Sequence, residues 1–446
     1  MRSLVDTAAA LEAGTTSSRE LVEGCLDRIG DPAGEGARVF VQLYADRART
    51  SADAMDQLRK AGRAPGHLAG IPISLKDLFD VAGETTRAGS VVLSNAPPAL
   101  HHAVVVERLL AAGLIPIGRT NMTEFAFSGV GINPHYGTPL SPWDRATGRS
   151  PGGSSSGAAV SVSDGFAYAG IGTDTGGSCR IPAALCGITG FKPTARRVPL
   201  KGVLPLAPSL DSVGPLAKTA ACCAALDAVM SGQIERVLPQ RRCAGLRVVI
   251  PTNFAFDHID RPTEDAFDRA VQRLDAAGVL IDRAEIKAFD QMNEAHANGG
   301  FAAAEAYAWH APMLSRVGSR YDPRVGSRIA SGADMSAAQY FLLAQARDRI
   351  RALFRAEMAS FDGLIMPTVP IMPPAISEFA SDVDYKRLNF LLLRNPASIN
   401  FMDGCAISLP CHDAGAAPSG LMIAAPPGRD DRLLAIAIAL EPLLAT

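Results

Sequence analysis

Two glycine–serine clusters carry residue types that could do chemistry: Gly152-Gly153-Ser154-Ser155-Ser156-Gly157 and Thr173-Asp174-Thr175-Gly176-Gly177-Ser178. Glycine pairs allow backbone conformations closed to other residues and bring main-chain N–H groups close to a ligand. A serine at the end of such a turn is a candidate nucleophile, and the N–H groups before it are a ready anion cradle. Flexible Gly/Ser loops are the competing explanation. Apolar residues follow both clusters, however, as Ala158-Ala159-Val160 and as Ile181-Pro182-Ala183-Ala184-Leu185. A linker has polar surroundings and no core to join. The second cluster is therefore expected inside a packed interior, where glycine serves geometry.

A serine nucleophile needs a group to take its proton. The chain has eight histidines, none within residues 150–194, and the nearest are His101, His102 and His135. A Ser-His-Asp set has no local support, and no G-x-S-x-G surrounds Ser178. An unprotonated lysine is the other known base, provided burial lowers its pKa toward neutrality. Lys76 ends the strand-like apolar run Gly70-Ile71-Pro72-Ile73-Ser74-Leu75 and is followed by Asp77-Leu78-Phe79-Asp80. A lysine embedded there is desolvated, paired, or both. A salt bridge to Asp77 or Asp80, or a side chain reaching out to solvent, is the alternative at this point.

With these residues in place, the sequence resembles the amidase signature family, whose Ser-cisSer-Lys hydrolases cleave carboxamides. The resemblance covers most of the chain and is densest between Gly70 and Asp211. It implies Ser178 as nucleophile, Ser154 as bridging serine after a cis Gly153–Ser154 peptide bond, and Lys76 as base, with acyl transfer to water through an acyl-enzyme. Backbone N–H groups of Thr175, Gly176, Gly177 and Ser178 would form the oxyanion hole, at roughly 3 kcal/mol per donor. Phe127 and Ser128 match a loop that lines the acyl side of the pocket in relatives, and Arg328 stands near an arginine that grips a carboxylate in glutamine-using relatives. Where those relatives carry an acid for an α-ammonium, this chain has Leu393 and Arg394, which weakens a glutaminase reading. Asp403 and Cys405 depart from the family's usual pattern in Asn400–Pro410. Cys179 follows the nucleophile position but is not expected to be catalytic.

The resemblance implies an α/β fold with a mixed β-sheet core flanked by helices on both faces. It also implies a single amidase domain over residues 1–446, with the signature core at about 65–215, a variable helical substrate-side region at about 251–361, and a segment at 362–446 that rejoins the core. The expected activity is hydrolysis of a small-molecule carboxamide to carboxylate plus ammonia or amine, with no metal or cofactor. A glutaminase of the kind that supplies ammonia within tRNA-dependent amidotransferases, or a non-catalytic binding protein on the same fold, is the alternative. Dimers are common in the family, so a homodimer is a candidate state.

The elements that must hold these residues can be read in outline. Ser17 and Glu20 have capping-box spacing before a helix, and an amphipathic helix is expected from Ala45 to Ala61. Val104 to Gly118 reads as a helix ended by Gly113 and then a strand, Leu114–Ile117. The order repeats with a helix from Glu264 to Gly278 and a strand at Val279–Ile281, and such alternation argues for an α/β sheet. Residues 85–90 read as a loop, 196–202 as a basic, solvated strand edge, 216–232 as a helix, and 232–242 as a surface connection. Asp211 is expected to cap a turn rather than orient the site. Leu364–Val369 reads as a buried strand.

Composition bounds the class. The chain has 446 residues, 48% of them hydrophobic, with a formal net charge of −2. No basic excess points to nucleic acid. Neither a signal-peptide core nor a run of about twenty apolar residues is found. The eight cysteines show no CxxC spacing and read as buried thiols in a reducing, cytoplasmic compartment.

Overall fold

The computed structural model describes residues 1–233, 236–296 and 299–444. Among these residues, eleven strands form one sheet: β1 (Phe40–Leu43), β2 (Pro72–Lys76), β3 (Ile115–Thr120), β4 (Ala169–Thr173), β5 (Thr189–Lys192), β6 (Val213–Ala217), β7 (Arg247–Pro251), β8 (Leu280–Ala284), β9 (Gly363–Pro367), β10 (Cys405–Pro410) and β11 (Gly420–Ala425). Their spatial order is β1-β3-β2-β4-β6-β5-β10-β11-β9-β7-β8. The sheet is mixed: β2 runs parallel to β3 and β4, β7 runs parallel to β8 and β9, and the pairs between these groups are antiparallel.

Both faces are covered. Successive strand residues point to opposite faces, and on β11 Leu421, Ile423 and Ala425 join one apolar cluster while Met422 and Ala424 join another. Helix Asp430–Leu444 packs on the first face through Leu433, Ile436 and Leu440, and helix Ala337–Glu357 on the second through Leu343, Ile350 and Phe354. Each such buried side chain contributes about 1.5–3 kcal/mol of transfer free energy. The expected α/β architecture is thus the observed one.

Local signals place several elements. Ser17 and Glu20 form a capping box on helix Ser18–Ile29. The helix after Tyr44 runs Ala45–Lys60. Helix Val104–Ala111 stops at Gly113, which takes φ +81°, and β3 follows. Other expectations need correction. The later helix spans Arg261–Ala276, starting before Glu264 because Asp260 caps it and Pro262 fits its first turn. Helix Ala220–Ser231 is shorter than 216–232, since β6 takes residues up to Ala217. Residues 196–202 are turns, and Arg197 is held by Asp227 and Asp431. Within the expected surface connection, Ile234 and Glu235 lie outside the described residues.

Candidate active site

Lys76 and Thr173 end the parallel neighbours β2 and β4, at the carboxyl edge where open α/β sheets place ligands. The Lys76 side chain is fully buried. Its Nζ donates to Ser154 Oγ at 2.8 Å and to Thr173 Oγ1 at 2.9 Å. Neither neighbouring acid is its partner: Asp77 pairs with Arg119 at 2.7 Å, and Asp80 accepts from Thr86 Oγ1 at 2.7 Å. Burial lowers the Lys76 pKa to about 7, against the opposing influence of Cys179, Asp174 and Asp211. Near neutral pH the amine can therefore give up its proton and accept one from a hydroxyl.

Ser154 follows a cis peptide bond from Gly153, the only cis bond among the described residues. A side chain at 153 would meet the Gly131 backbone at 2.7 Å, so glycine is required by close approach. Helix Ser156–Ser163 begins directly after this turn and packs on β2 and β4. The two serine clusters touch through their backbones, with Ser155 N–H donating to Ser178 O at 3.4 Å.

Asp174 organises the second cluster. It accepts from Gly177 N at 2.8 Å and Cys179 N at 3.1 Å, and from Arg180 in a two-pronged contact, Nη2 at 2.9 Å and Nε at 3.0 Å. Asn400 Nδ2 donates to its carboxylate at 2.9 Å. Burial alone would raise the Asp174 pKa, but Arg180 foremost brings it to about 2. Asp174 and Arg180 are both fully buried. Gly177 takes φ +124°, and a Cβ there would lie 2.5 Å from Pro396. Asp211 does more than cap a turn: it accepts from Leu206 N and Ala207 N and also from Thr175 Oγ1 at 2.5 Å.

One of the N–H groups expected to serve an oxyanion hole already has an acceptor. The Gly177 N–H is committed to Asp174 and does not face the cavity. Thr175, Gly176 and Ser178 line it, and their backbone N–H groups have no acceptor among the described residues. Cys179 is buried on the opposite side, its Sγ 3.5 Å from Gly214 O, and burial pushes its thiol pKa up.

The cavity before Ser178 holds about 160 Å³. Its wall is mostly apolar, with Phe127, Leu206, Leu210, Phe301, Leu393 and Phe401. Ser128 accepts from Tyr385 Oη at 2.9 Å and donates to Asn389 at 3.0 Å. Arg328 stacks on Phe127 at 4.5 Å and donates to the Phe127 carbonyl at 2.7 Å, with no acidic partner among the described residues. It also borders an outer cavity of about 620 Å³ that includes Arg324, Tyr385 and Lys386. Leu393 faces the inner cavity, whereas Arg394 is tied to the carbonyls of Ala255 and Asp257. His296 reaches the wall edge-on to Phe401 at 4.6 Å and makes no hydrogen bond to a serine hydroxyl among the described residues.

The structure thus brings Lys76, Ser154 and the loop of Ser178 together, and gathers Phe127, Ser128 and Arg328 at the same cavity. Sequence reasoning missed Thr173 as the second partner of Lys76, Asp174 as the anchor of the turn, and the wall residues Phe301 and Phe401. Thr173 and Asp174 stood in the glycine–serine cluster itself, and an acid six residues before Arg180 in an apolar stretch was a usable signal. Phe301 and Phe401 arrive from distant segments with no local mark.

Known proteins share this architecture. A family model described as Amidase matches residues 20–434. The chain is similar to the 2-amino-5-chloromuconic acid deaminase of Comamonas testosteroni, at 36% identity over 99% of this chain and 96% of that protein. It is also similar to a component of the glutamyl-tRNA(Gln) amidotransferase of Chromohalobacter salexigens, at 34% identity over 98% and 95% of the two chains. Among solved structures, a crystal structure of an amidase superposes with a TM-score of 0.89 at 28% identity, covering 99% of this chain and 100% of the other.

Proposed function

The chain belongs to the amidase family and is an enzyme that hydrolyses carbon–nitrogen bonds; on that premise we propose that it cleaves a compact, carboxylate-bearing amide through a Ser178 acyl-enzyme. Neutral Lys76 accepts a proton from Ser154, and Ser154 accepts one from Ser178. Ser178 Oγ attacks the amide carbonyl, and the oxygen that gains charge is met by the N–H groups of Thr175, Gly176 and Ser178. The relay returns a proton to the leaving nitrogen, the C–N bond breaks, and water releases the acid. The observation that carries this reading is the fully buried Lys76 amine, 2.8 Å from Ser154 Oγ with a pKa of about 7. Arg328, free of any acidic partner among the described residues at a mostly apolar wall, supports a carboxylate on the substrate.

The similarity to an amidotransferase component favours a second reading, a glutaminase that passes ammonia to a partner chain. The cavity offers no carboxylate for an α-ammonium among its described residues, and Leu393 occupies part of its wall. A fluorophosphonate probe followed by peptide mass analysis tests the serine assignment. Labelling of Ser178 that disappears in Ser178→Ala, together with loss of amide turnover, is expected. Turnover at the parent rate by purified Ser178→Ala would end it, and ammonia release from glutamine only with a partner chain present would favour the second reading.

A further inference from the structure

Asp403, one of the two departures from the family pattern noted above, sits in the turn between helix Asp382–Phe401 and β10. It adopts φ +55° and is 5% exposed. Its carboxylate accepts from Arg347 at 2.5 Å and from Arg351 at 2.9 Å. These arginines lie one turn apart on helix Ala337–Glu357, so they reach the same acceptor. Arg347 has further partners. Its Nε donates to Phe401 O at 2.7 Å, Nη2 to Asn400 O at 3.2 Å, and Nη1 to Ser209 O at 3.1 Å. Its guanidinium lies over the Phe301 ring at 5.3 Å and near that of Phe401 at 5.9 Å.

One buried guanidinium therefore ties together three chain segments that are far apart in sequence. Each contributes to the cavity wall, through Phe401, Phe301 and Leu210. Arginine's rigid planar fork suits this, since it can donate along its edge while stacking with its face. Without Asp403 the guanidinium would be left buried without its charge partner. Neither Arg347 nor Asp403 lines the cavity itself.

We propose that the Asp403–Arg347 pair is a specificity-determining, positioning device that fixes the aromatic wall and thereby limits the length of the acyl group the cavity accepts. This deepens the acyl-enzyme reading and concerns the same cavity, but its test does not depend on turnover. Straight-chain carboxylic acids from propionate to octanoate serve as probes, titrated calorimetrically into the parent, Asp403→Asn, Asp403→Ala and the milder Arg351→Gln. The parent is expected to bind the short acids and discriminate at least tenfold against octanoate. Asp403→Ala is expected to narrow that ratio to threefold or less, with Asp403→Asn and Arg351→Gln between. A merely structural role would weaken every acid by one common factor. That result, an unchanged length profile in the two milder variants, or a parent that binds all lengths equally or none, overturns the proposal. Fluorophosphonate labelling of Ser178 in the same proteins reports separately on the acyl-enzyme reading: absent labelling in the parent defeats that reading and leaves the binding profile to decide the wall.

Discussion

Replacing Lys76 with methionine tests the charge state of the buried amine. Burial is the main cause that lowers its pKa from 10.5 to about 7. Below pH 7 both the folded and the unfolded chain hold the proton, and keeping the ammonium buried costs the fold about 5 kcal/mol. Between the two pKa values only the unfolded chain keeps it. The unfolded state then binds more protons, so parent stability rises with pH across that window and the penalty vanishes above it. Methionine removes the ionisable group but leaves the Ser154 and Thr173 hydroxyls without their donor, at about 1–3 kcal/mol. Lys76→Met is therefore expected to be inactive, yet more stable than the parent by about 1–3 kcal/mol at pH 7. That advantage should shrink by about 2 kcal/mol between pH 7 and pH 9. Urea unfolding followed by circular dichroism at pH 7, 8 and 9 measures both quantities. In the parent, kcat/KM should rise as pH passes through about 7, where the amine loses its proton. A gap that stays constant from pH 7 to 9, or a parent that loses activity as pH rises through that value, would refute a neutral amine at this position.

Two more outcomes follow from the same geometry. Arg180→Met leaves Asp174 as a buried carboxylate without its paired cation and is expected to lower stability by about 3–5 kcal/mol, read as a lower urea midpoint; a loss below about 1 kcal/mol would mean that the hydrogen bonds from Gly177, Cys179 and Asn400, with the nearby Lys192, hold the carboxylate without the ion pair. Arg328→Met should raise KM for a carboxylate-bearing amide about tenfold or more with little change in kcat, as expected for loss of a charge-assisted hydrogen bond, while a neutral amide of the same shape is unaffected; equal effects on both would remove Arg328 from substrate recognition.

What the sequence disclosed and what it hid divide along contact range. Ser17 and Glu20 announce their helix because a capping box is complete within four residues. Gly113 ends a helix for an equally local reason, its positive φ. Lys76 was legible because a cation at the end of an apolar run contradicts its surroundings unless the fold uses it. The two serines emerged from glycine context, and their roles came from family resemblance rather than from spacing. What stayed hidden rests on long-range pairing. Arg197 looked solvated because Asp227 and Asp431 reach it only through the fold. Asp403 looked anomalous until helix Ala337–Glu357 supplied Arg347 and Arg351. The commitment of the Gly177 N–H to Asp174 depends on a peptide-plane orientation that no residue pattern encodes.

The Asp174–Arg180 pair acts beyond the turn it anchors. By drawing in the amides of 177 and 179, the charge-balanced Asp174–Arg180 pair leaves those of Thr175, Gly176 and Ser178 with no acceptor among the described residues. On the proposed mechanism, little backbone rearrangement is then needed when negative charge forms before Ser178. The frame behind the turn and the cavity wall share Asn400, whose side chain donates to Asp174 while its carbonyl accepts from Arg347. Reshaping the wall near Asn400, at Phe401 for instance, therefore also bears on the frame behind the turn.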